Sequence, residues 1–545
     1  MSVFRQVLDP VAHSLAWSSL VAALPLLTLF VLLGGLRMRA WTASLVALAV
    51  ALAVAVWAYG MPAGQAALAG TEGAAFGFFP ILWIVINAIW VYTMTVETGH
   101  FDVLRRSFAR VSDDQRIQAI IIAFSFGALL EALAGFGTPV AVTSVMLIAL
   151  GFRPLKAAVL ALTANTAPVA FGAMATPILT LGKVTSQSSD TLGAMVGRQT
   201  PILALFVPLV LVGIVDGRRG LRETWAPALG CGVAFAAAQY ATSNFVSVPL
   251  ADVVASLVSV AAVVAMVRAR PRPSGHVVVA GGAADEPTPE FAERVAHPDD
   301  RREVLRAYLP YATIIVVFVV CQITAIKNAL GEATRTVRWP GLHLENAAGR
   351  PLSLPAFTVN YLTSPGTQML AAGLLTMIIL RIPVGGALRA YRDTLVQLRW
   401  AILTVMLVLA LAFVMNASGQ TITLGTWMAG AGGFFAFLSP ILGWLGTAVT
   451  GSDTSSNSLF GALQVAAAGR ADLSPVLLAA ANSSGGVLGK MVSPQNLAIA
   501  AAAVGLDGRE GDILRRVIIW SLVFLAGMCV LVLLQAGAIL AWMVP

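Results

Sequence analysis

The sequence predicts an all-α polytopic membrane protein with about 12 transmembrane helices and two re-entrant hairpins, arranged in two inverted repeats. Three observations predict this fold. Apolar residues make up 58% of the 545 residues and charged residues only 11%, whereas a soluble domain carries about 25% charged residues. Long apolar runs recur along the chain, and polar motifs of the first half return in the second. This composition excludes a soluble enzyme, a secreted disulfide scaffold and a disordered protein.

Twelve apolar runs have the roughly 17–25 residues that are needed to cross about 30 Å of hydrocarbon. They are 15–36, 40–60, 76–96, 156–181, 200–215, 225–242 and 249–266 in the first half, and 308–326, 366–382, 400–416, 473–498 and 516–541 in the second. Two further apolar stretches, 117–150 and 433–466, are interrupted at 135–139 and 451–457. We interpret each as a hairpin that enters and leaves the membrane on one side.

The basic residues predict the orientation, because cytoplasmic loops carry an excess of Lys and Arg. With both termini outside, 25 basic residues fall in cytoplasmic segments and 8 in external segments. Two segments are not predicted to enter the membrane. We interpret 267–306 as a solvated cytoplasmic connector rather than a regulatory module. The external loop 327–365 contains four prolines, and a role as a lid is the less favoured interpretation.

A repeat of polar motifs relates the two halves. The segment 135–138 is followed by Ala164-Asn165-Thr166, Gly172, Met174 and Thr176-Pro177, and 451–454 is followed by Ala481-Asn482-Ser483, Gly489, Met491 and Ser493-Pro494. Because one extra crossing precedes the second hairpin, the copies are expected to face opposite ways. The repeats are 1–215 and 308–545, and 216–307 supplies two linking spans and the connector. Inverted repeats with broken helices are typical of secondary transporters.

The interrupted segments supply a candidate substrate site, since irregular backbone at membrane depth is tolerated where it lines a cavity. We expect Thr138 to cap the return arm of the first hairpin, and 165–168 and 482–486 each to break a span. Helix N-termini and hydroxyl groups at such breaks bind anions. The alternative explanation, that small residues merely allow close helix packing, accounts poorly for the two matched asparagines. The candidate substrate-binding residues are Thr138, Asn165, Thr166, Ser452, Thr454, Asn482, Ser483, Ser484 and Lys490.

Three ionisable residues lie within the predicted membrane segments, namely Glu131, Asp453 and Lys490. Each is expected to have a partner or a function, because an ionisable residue at the bilayer centre costs at least about 2.5–3.5 kcal/mol. We expect Lys490 to face a substrate carboxylate and Glu131 to carry a coupled proton, with Asp453 as the second candidate for the proton. In the alternative, the Lys490 side chain reaches toward the cytoplasmic interface.

These motifs resemble the bacterial lactate permease family. The resemblance rests on the segments 127–139, 164–168, 451–457, 482–486 and 491–496. It implies proton-coupled uptake of L-lactate, with D-lactate and glycolate as related substrates, across the bacterial cytoplasmic membrane. It also implies kinship with transporters built on inverted re-entrant hairpins. The implied partners are a small 2-hydroxy monocarboxylate, the proton as coupling ion and membrane lipid, with no nucleic acid and no cofactor. A homodimer is left open.

A sodium-coupled carrier or a passive channel for another small carboxylate is the main alternative function. A channel needs a continuous polar lining, whereas polar residues concentrate here at the paired breaks. A membrane redox enzyme would need histidines within its spans to hold haem or a metal, but all five histidines lie in loops or at span ends. The sequence contains neither a phosphate-binding loop nor a zinc protease motif. We therefore expect a transporter rather than an enzyme.

Overall fold

The computed structural model describes residues 3–36, 38–109, 111–112, 114–135, 137–269, 300–352, 354–506 and 509–545. Within these ranges the chain is largely helical, with two small two-stranded sheets. Most of the predicted connector 267–306 lies outside the described residues, and its interpretation stays a prediction.

The first half is built from helices that alternate long apolar spans with short segments. They are α1 (Leu15–Phe30), α2 (Ala40–Ala53), α3 (Ala63–Phe76), α4 (Trp83–Glu97), α5 (His100–Ala109), α6 (Gln115–Ala119), α7 (Gly127–Leu133), α8 (Thr138–Ala149), α9 (Pro154–Ala164), α10 (Gly172–Thr185), α11 (Ser189–Val196), α12 (Thr200–Ala204), α13 (Val207–Phe245) and α14 (Ala251–Ala269). Short π-helical stretches extend α1, α2 and α3 and join α6 to α7.

The second half likewise combines long apolar helices with short helical segments. Its helices are α15 (Arg301–Gln322), α16 (Thr324–Gly331), α17 (Pro365–Ile379), α18 (Val384–Ser418), α19 (Gln420–Met428), α20 (Phe435–Thr450), α21 (Asp453–Ala471), α22 (Pro475–Gly489), α23 (Pro494–Ala503) and α24 (Glu510–Ala536). The strands are β1 (Phe4–Arg5), β2 (Arg335–Arg338), β3 (Leu344–Glu345) and β4 (Ala356–Val359). Strands β2 and β4 pair antiparallel and β1 and β3 pair parallel, so the predicted external loop folds into a small structured unit.

The predicted polytopic helical architecture is confirmed. Ten helical segments in the described ranges are long and apolar enough to cross a membrane, or up to eleven if a pair bent by 66° is counted as one span. Each of the twelve predicted spans falls on helical structure. The predicted span 200–215 begins in α12 and continues into α13, which also contains 225–242 and whose backbone is non-helical at Asp216 and Gly217.

The first hairpin turns between α7 and α8, as predicted. Gly135 and Gly137 adopt left-handed conformations, with φ of 50° and 83°, which glycine tolerates because it has no Cβ. The prediction that Thr138 caps α8 is wrong, because Gly137 occupies the N-cap and no side chain caps this end. The turn places the left-handed Gly137 immediately before the helix, so Thr138 is the first residue of α8 and not its cap.

The second hairpin turns between α20 and α21, and here a serine side chain caps the return arm. Gly451 adopts the left-handed conformation with φ of 75°. Ser452 follows in an extended conformation, and its hydroxyl accepts a hydrogen bond from the Ser455 N–H at 3.3 Å. A cap of this kind satisfies a backbone donor that has no partner within the helix.

The first broken span bends where the sequence predicts. Helix α9 ends at Ala164, the residues 165–168 are non-helical, and the chain continues through a short 3₁₀ turn into α10. The three residues Ala173, Met174 and Ala175 then adopt left-handed conformations before the right-handed helix begins. Non-glycine residues rarely adopt this conformation, and such backbone clusters at functional sites.

The second broken span bends eight residues later than the sequence predicts. Helix α22 runs without interruption through 482–486, and the break falls at a 3₁₀ turn over Lys490–Val492, followed by an extended Ser493. The polar side chains at 482–484 hydrogen-bond to other side chains instead of competing for their own backbone. Gly485 lies against the Pro440 carbonyl, where a Cβ would collide. Close packing therefore explains the small residues of this segment.

The observed breaks recur at the spacing of the sequence repeat. The left-handed Gly135 and Gly451 are 316 residues apart, and the turns at 173–175 and 490–492 are 317 residues apart. The domain boundaries and the inverted orientation of the two copies stay predictions.

The orientation can be tested at Arg153 and Arg470, which are both exposed and equivalent in the repeat. Single cysteines at these positions, in a protein whose three native cysteines are replaced, should react with a membrane-impermeant maleimide from opposite faces. Arg153→Cys should label in inside-out vesicles and Arg470→Cys in intact cells, because the charge distribution places them on opposite sides. Labelling of both from one face would contradict the inverted orientation.

Candidate substrate site

A cavity of about 520 Å³ lies where the two hairpins and the two broken spans meet. The walls include both hairpin tips, the left-handed turn of α10 and the break after α22. The lining residues are Arg39, Ala40, Trp41, Glu131, Gly135, Val169, Gly172, Ala173, Thr176, Pro177, Trp400, Ala401, Thr404, Val405, Thr450, Gly451, Ser452, Asp453, Thr454, Ser455, Lys490, Gln495 and Asn496. We call this space the substrate cavity.

The substrate cavity reaches one end of the helical assembly. Arg39, which precedes α2, lines it together with Trp41 and Trp400. The two indole rings stack with their centroids 5.4 Å apart. In the orientation predicted from the basic residues, this end of the assembly would be the cytoplasmic one.

Glu131 and Lys490 form a buried ion pair in the substrate cavity. The Lys490 Nζ lies 2.5 Å from the Glu131 Oε1, and the two side chains are only 7% and 4% exposed. The Asn165 amide donates to the other carboxylate oxygen at 2.9 Å. The structure therefore brings three of the predicted site residues into one cluster, which we call the charge cluster.

The ion pair with Glu131 changes the expected role of Lys490. Its side chain does not reach toward the interface, so the alternative interpretation is wrong. Nor does it face the cavity as a free cation, because Glu131 neutralises it. Removing one partner of a buried pair leaves an uncompensated charge, at a cost of about 3–5 kcal/mol. Any anion that binds Lys490 must therefore compete with, or replace, the Glu131 carboxylate.

The absence of a side chain at Gly172 leaves room for the Glu131 carboxylate. A Cβ at Gly172 would lie 2.7 Å from the Glu131 Oε1 and 3.1 Å from its Cγ. Gly172 begins α10, directly before the left-handed turn. The first broken span thus approaches the charge cluster through its backbone.

Asp453 forms a second polar cluster on the other hairpin. It is the first residue of α21 and is 3% exposed. The Oδ2 accepts hydrogen bonds from the Ser483 hydroxyl at 2.6 Å and from the Asn457 amide at 3.3 Å. Its position at a helix N-terminus favours a negative charge.

The remaining predicted binding residues divide into two groups. Ser452 and Thr454 line the substrate cavity, whereas Thr138, Thr166, Asn482, Ser483 and Ser484 do not. Asn482 bonds to Asn457 and Gln464, and Ser484 donates to Gln199. Thr166 donates to the Thr163 carbonyl in the last turn of α9. The two matched asparagines therefore differ, because Asn165 contacts the charge cluster and Asn482 supports the second hairpin.

Several cavity residues were missed by the sequence analysis. Gln495 and Asn496 lie in the quoted motif 491–496, so their polarity was a usable signal. The Asn496 amide donates to the Lys490 carbonyl at 3.2 Å and to the Ser493 hydroxyl at 2.8 Å. Arg39 and the two tryptophans carry no local signal, because only the fold brings them to the cavity.

A comparison with known proteins identifies the family. Residues 18–539 match the family model described as L-lactate permease. The chain belongs to the L-lactate permease family. Glycolate permease GlcA of Escherichia coli K12 is 39% identical over 552 residues, which cover 98% of each chain. The L-lactate permease of Bacillus subtilis 168 is 40% identical over 565 residues, which cover 99% of this chain and 100% of the relative.

Among solved structures, the YdaH transporter of Alcanivorax borkumensis aligns with a TM-score of 0.45 and 13% identity, over 85% of this chain and 86% of that chain. The family assignment confirms the predictions of a multi-pass membrane protein and of a transporter rather than an enzyme.

The space at Gly172 gives a test of the charge cluster in this permease. Gly172→Ala should lower transport by roughly tenfold or more, because its methyl group displaces the Glu131 carboxylate from Lys490. Gly469→Ala is the matched control, since nothing lies within 4 Å of its added Cβ. Uptake would be measured at equal amounts of protein in the membrane. Equal uptake in the two variants would contradict the proposed crowding at Glu131.

Proposed function

We propose that this permease is a secondary active transporter that carries L-lactate, and also D-lactate and glycolate, into the bacterial cell across the cytoplasmic membrane together with a proton. The names of its relatives, L-lactate permease and glycolate permease, support the substrate class. The observation that carries the mechanism is the buried Glu131–Lys490 pair in the substrate cavity. Asn165 is a positioning residue for Glu131.

In the empty carrier, Glu131 is ionised and is the counter-ion of Lys490. The pair has no net charge, so the occluded site can change its exposure across the membrane without carrying a charge. Asn165 and the space at Gly172 hold the carboxylate against the ammonium group.

In the loaded carrier, Glu131 is protonated and the substrate carboxylate takes its place beside Lys490. The proton neutralises Glu131, and the bound anion becomes the new counter-ion. The charge cluster again has no net charge. Proton and substrate therefore favour each other, and this coupling is reciprocal because it is a property of the binding free energies.

The two partly loaded states are disfavoured. A substrate without a proton would place two carboxylates beside one ammonium group, whereas a proton without a substrate would leave Lys490 unpaired. Each state buries an uncompensated charge, at about 3–5 kcal/mol, which corresponds to a population at least about a hundredfold lower. The carrier accordingly moves one substrate with one proton.

The hydroxyl group of the substrate needs neutral hydrogen-bond partners. Ser452 and Thr454 at the second hairpin tip, and Asn496 beyond the second break, line the same cavity. The N-terminus of α21 adds a partial positive charge at that tip. We assign recognition of the 2-hydroxy group to this side of the cavity. Asn482, Ser483 and Ser484 stabilise this region through hydrogen bonds to Asn457, Asp453 and Gln199. Asp453 is the second candidate for the coupled proton.

Glu131→Gln and Lys490→Ala separate the two roles. Glu131→Gln mimics the protonated carboxyl, so it should abolish lactate accumulation driven by a pH gradient and retain lactate exchange. Lys490→Ala should lose both activities, because it removes the counter-ion of the substrate. Labelled L-lactate uptake and counterflow in proteoliposomes would measure both, with Glu332→Gln as a matched control on the exposed external loop.

Normal pH-driven accumulation in Glu131→Gln would contradict the proton role of Glu131 and pass it to Asp453, to be tested with Asp453→Asn. Accumulation driven by a sodium gradient and not by a pH gradient would favour the sodium-coupled alternative. Downhill flux without counterflow would favour a channel.

A further inference from the structure

A second cavity, of about 270 Å³, lies beside strand β4 of the β2–β4 pair in the external loop. We call it the outer cavity. Its polar lining residues come from the end of α10, the start of α11 and the strand β4 with the residue after it. They are Lys183, Gln187, Ser189, Thr358 and Asn360.

A cluster of packed apolar side chains, which we call the apolar layer, borders both the outer cavity and the substrate cavity. Its members are in mutual contact and include Phe76, Ala134, Ala173, Val405, Leu409 and Phe413. Phe76 lines the outer cavity, whereas Ala173 and Val405 line the substrate cavity. The apolar layer therefore borders both cavities, and we interpret it as the barrier between them. A substrate that approaches from the outer side meets the outer cavity first.

Lys183 gives the outer cavity a cation. It lies in the last turn of α10, and its Nζ donates to the Ala356 carbonyl at 2.6 Å and lies 5.8 Å from the centre of the Phe76 ring. An ammonium group has three N–H donors, and the bond to Ala356 uses one. Glu72 lies one turn before Phe76 on α3, and its buried carboxylate interacts electrostatically with Lys183 without forming a close ion pair or a hydrogen bond among the described residues.

The lining beside Lys183 suits a small hydroxy acid. Thr358 and Asn360 come from the external loop, Gln187 from the link between α10 and α11 and Ser189 from the start of α11, so hydroxyl and amide groups line the same cavity as Lys183. An ammonium group with neutral hydrogen-bonding neighbours binds a carboxylate and the hydroxyl next to it. The volume of about 270 Å³ leaves room for such a molecule with water.

We propose that the outer cavity is an external binding site for the monocarboxylate substrate, in which Lys183 binds the carboxylate before the apolar layer opens. This inference rests on the proposed function. The outer cavity raises the local concentration of the anion at the closed external path, because a partly enclosed cation attracts anions more strongly than an exposed one. Lys183 acts only on the external side, whereas Lys490 acts at the transported site.

Lys183→Gln tests the site by removing the charge at nearly constant length. The apparent affinity for L-lactate should fall roughly five- to tenfold for uptake from outside, and this affinity should lose its dependence on ionic strength. Affinity from the cytoplasmic side in inside-out vesicles, and exchange at saturating L-lactate, should stay unchanged. Lys183→Arg should restore uptake, and Lys327→Gln is the control for an exposed external lysine.

A second pair of variants does not depend on the bond from Lys183 to Ala356. Thr358 and Thr336 are exposed partners across the β2–β4 pair, but only Thr358 lines the outer cavity. Thr358→Asp should weaken uptake from outside by repelling the anion, and Thr336→Asp should have much less effect.

Unchanged external affinity in Lys183→Gln and in Thr358→Asp, in a protein that takes up L-lactate with a proton, would overturn the outer site and leave the proposed function intact. An equal loss of affinity from both sides of the membrane would also overturn it. Absence of L-lactate uptake by the unsubstituted protein would overturn both proposals.

Discussion

A lysine buried in a membrane protein needs a counter-ion, and Glu131 meets that need for Lys490. The pair joins residues that are 359 positions apart, one on the first hairpin and one at the break in the second half. Because neither charge can be buried alone without a cost of several kcal/mol, the two halves of the chain must meet at this point. The hairpin tips, the broken spans and the substrate cavity are all arranged around it.

The backbone makes this arrangement sterically possible. Glycines at the hairpin tips adopt conformations that other residues avoid, and Gly172 leaves room for the Glu131 carboxylate. Gly485 allows α22 to approach α20 closely. The left-handed turn at 173–175 brings the first broken span to the same cavity. Packed apolar side chains that include Ala173 and Val405 border the substrate cavity, and the same cluster includes Phe76 at the outer cavity.

The sequence predicted much of this fold because its signals are local. Long apolar runs, Gly-Pro interruptions and the repeat spacing indicated the spans, the hairpin tips and the first break. It failed where tertiary contacts decide the outcome. The segment 482–486 is polar enough to break a helix, but Asn457, Asp453 and Gln199 bond to its side chains and the helix continues. Glu131 and Lys490 were each identified as functional, yet no local pattern indicates that they contact each other. The cation at the outer cavity depends on a long-range contact between α10 and the external loop.

The central claim is that substrate binding and protonation of Glu131 are one coupled event. The most direct measurement is the number of protons taken up when L-lactate binds to the purified protein, from titration calorimetry in buffers of different ionisation enthalpy. The account predicts uptake of about one proton for each L-lactate bound at a pH where Glu131 is ionised in the empty protein, and none in Glu131→Gln. Binding of L-lactate without proton uptake, or equal uptake in the two proteins, would contradict it.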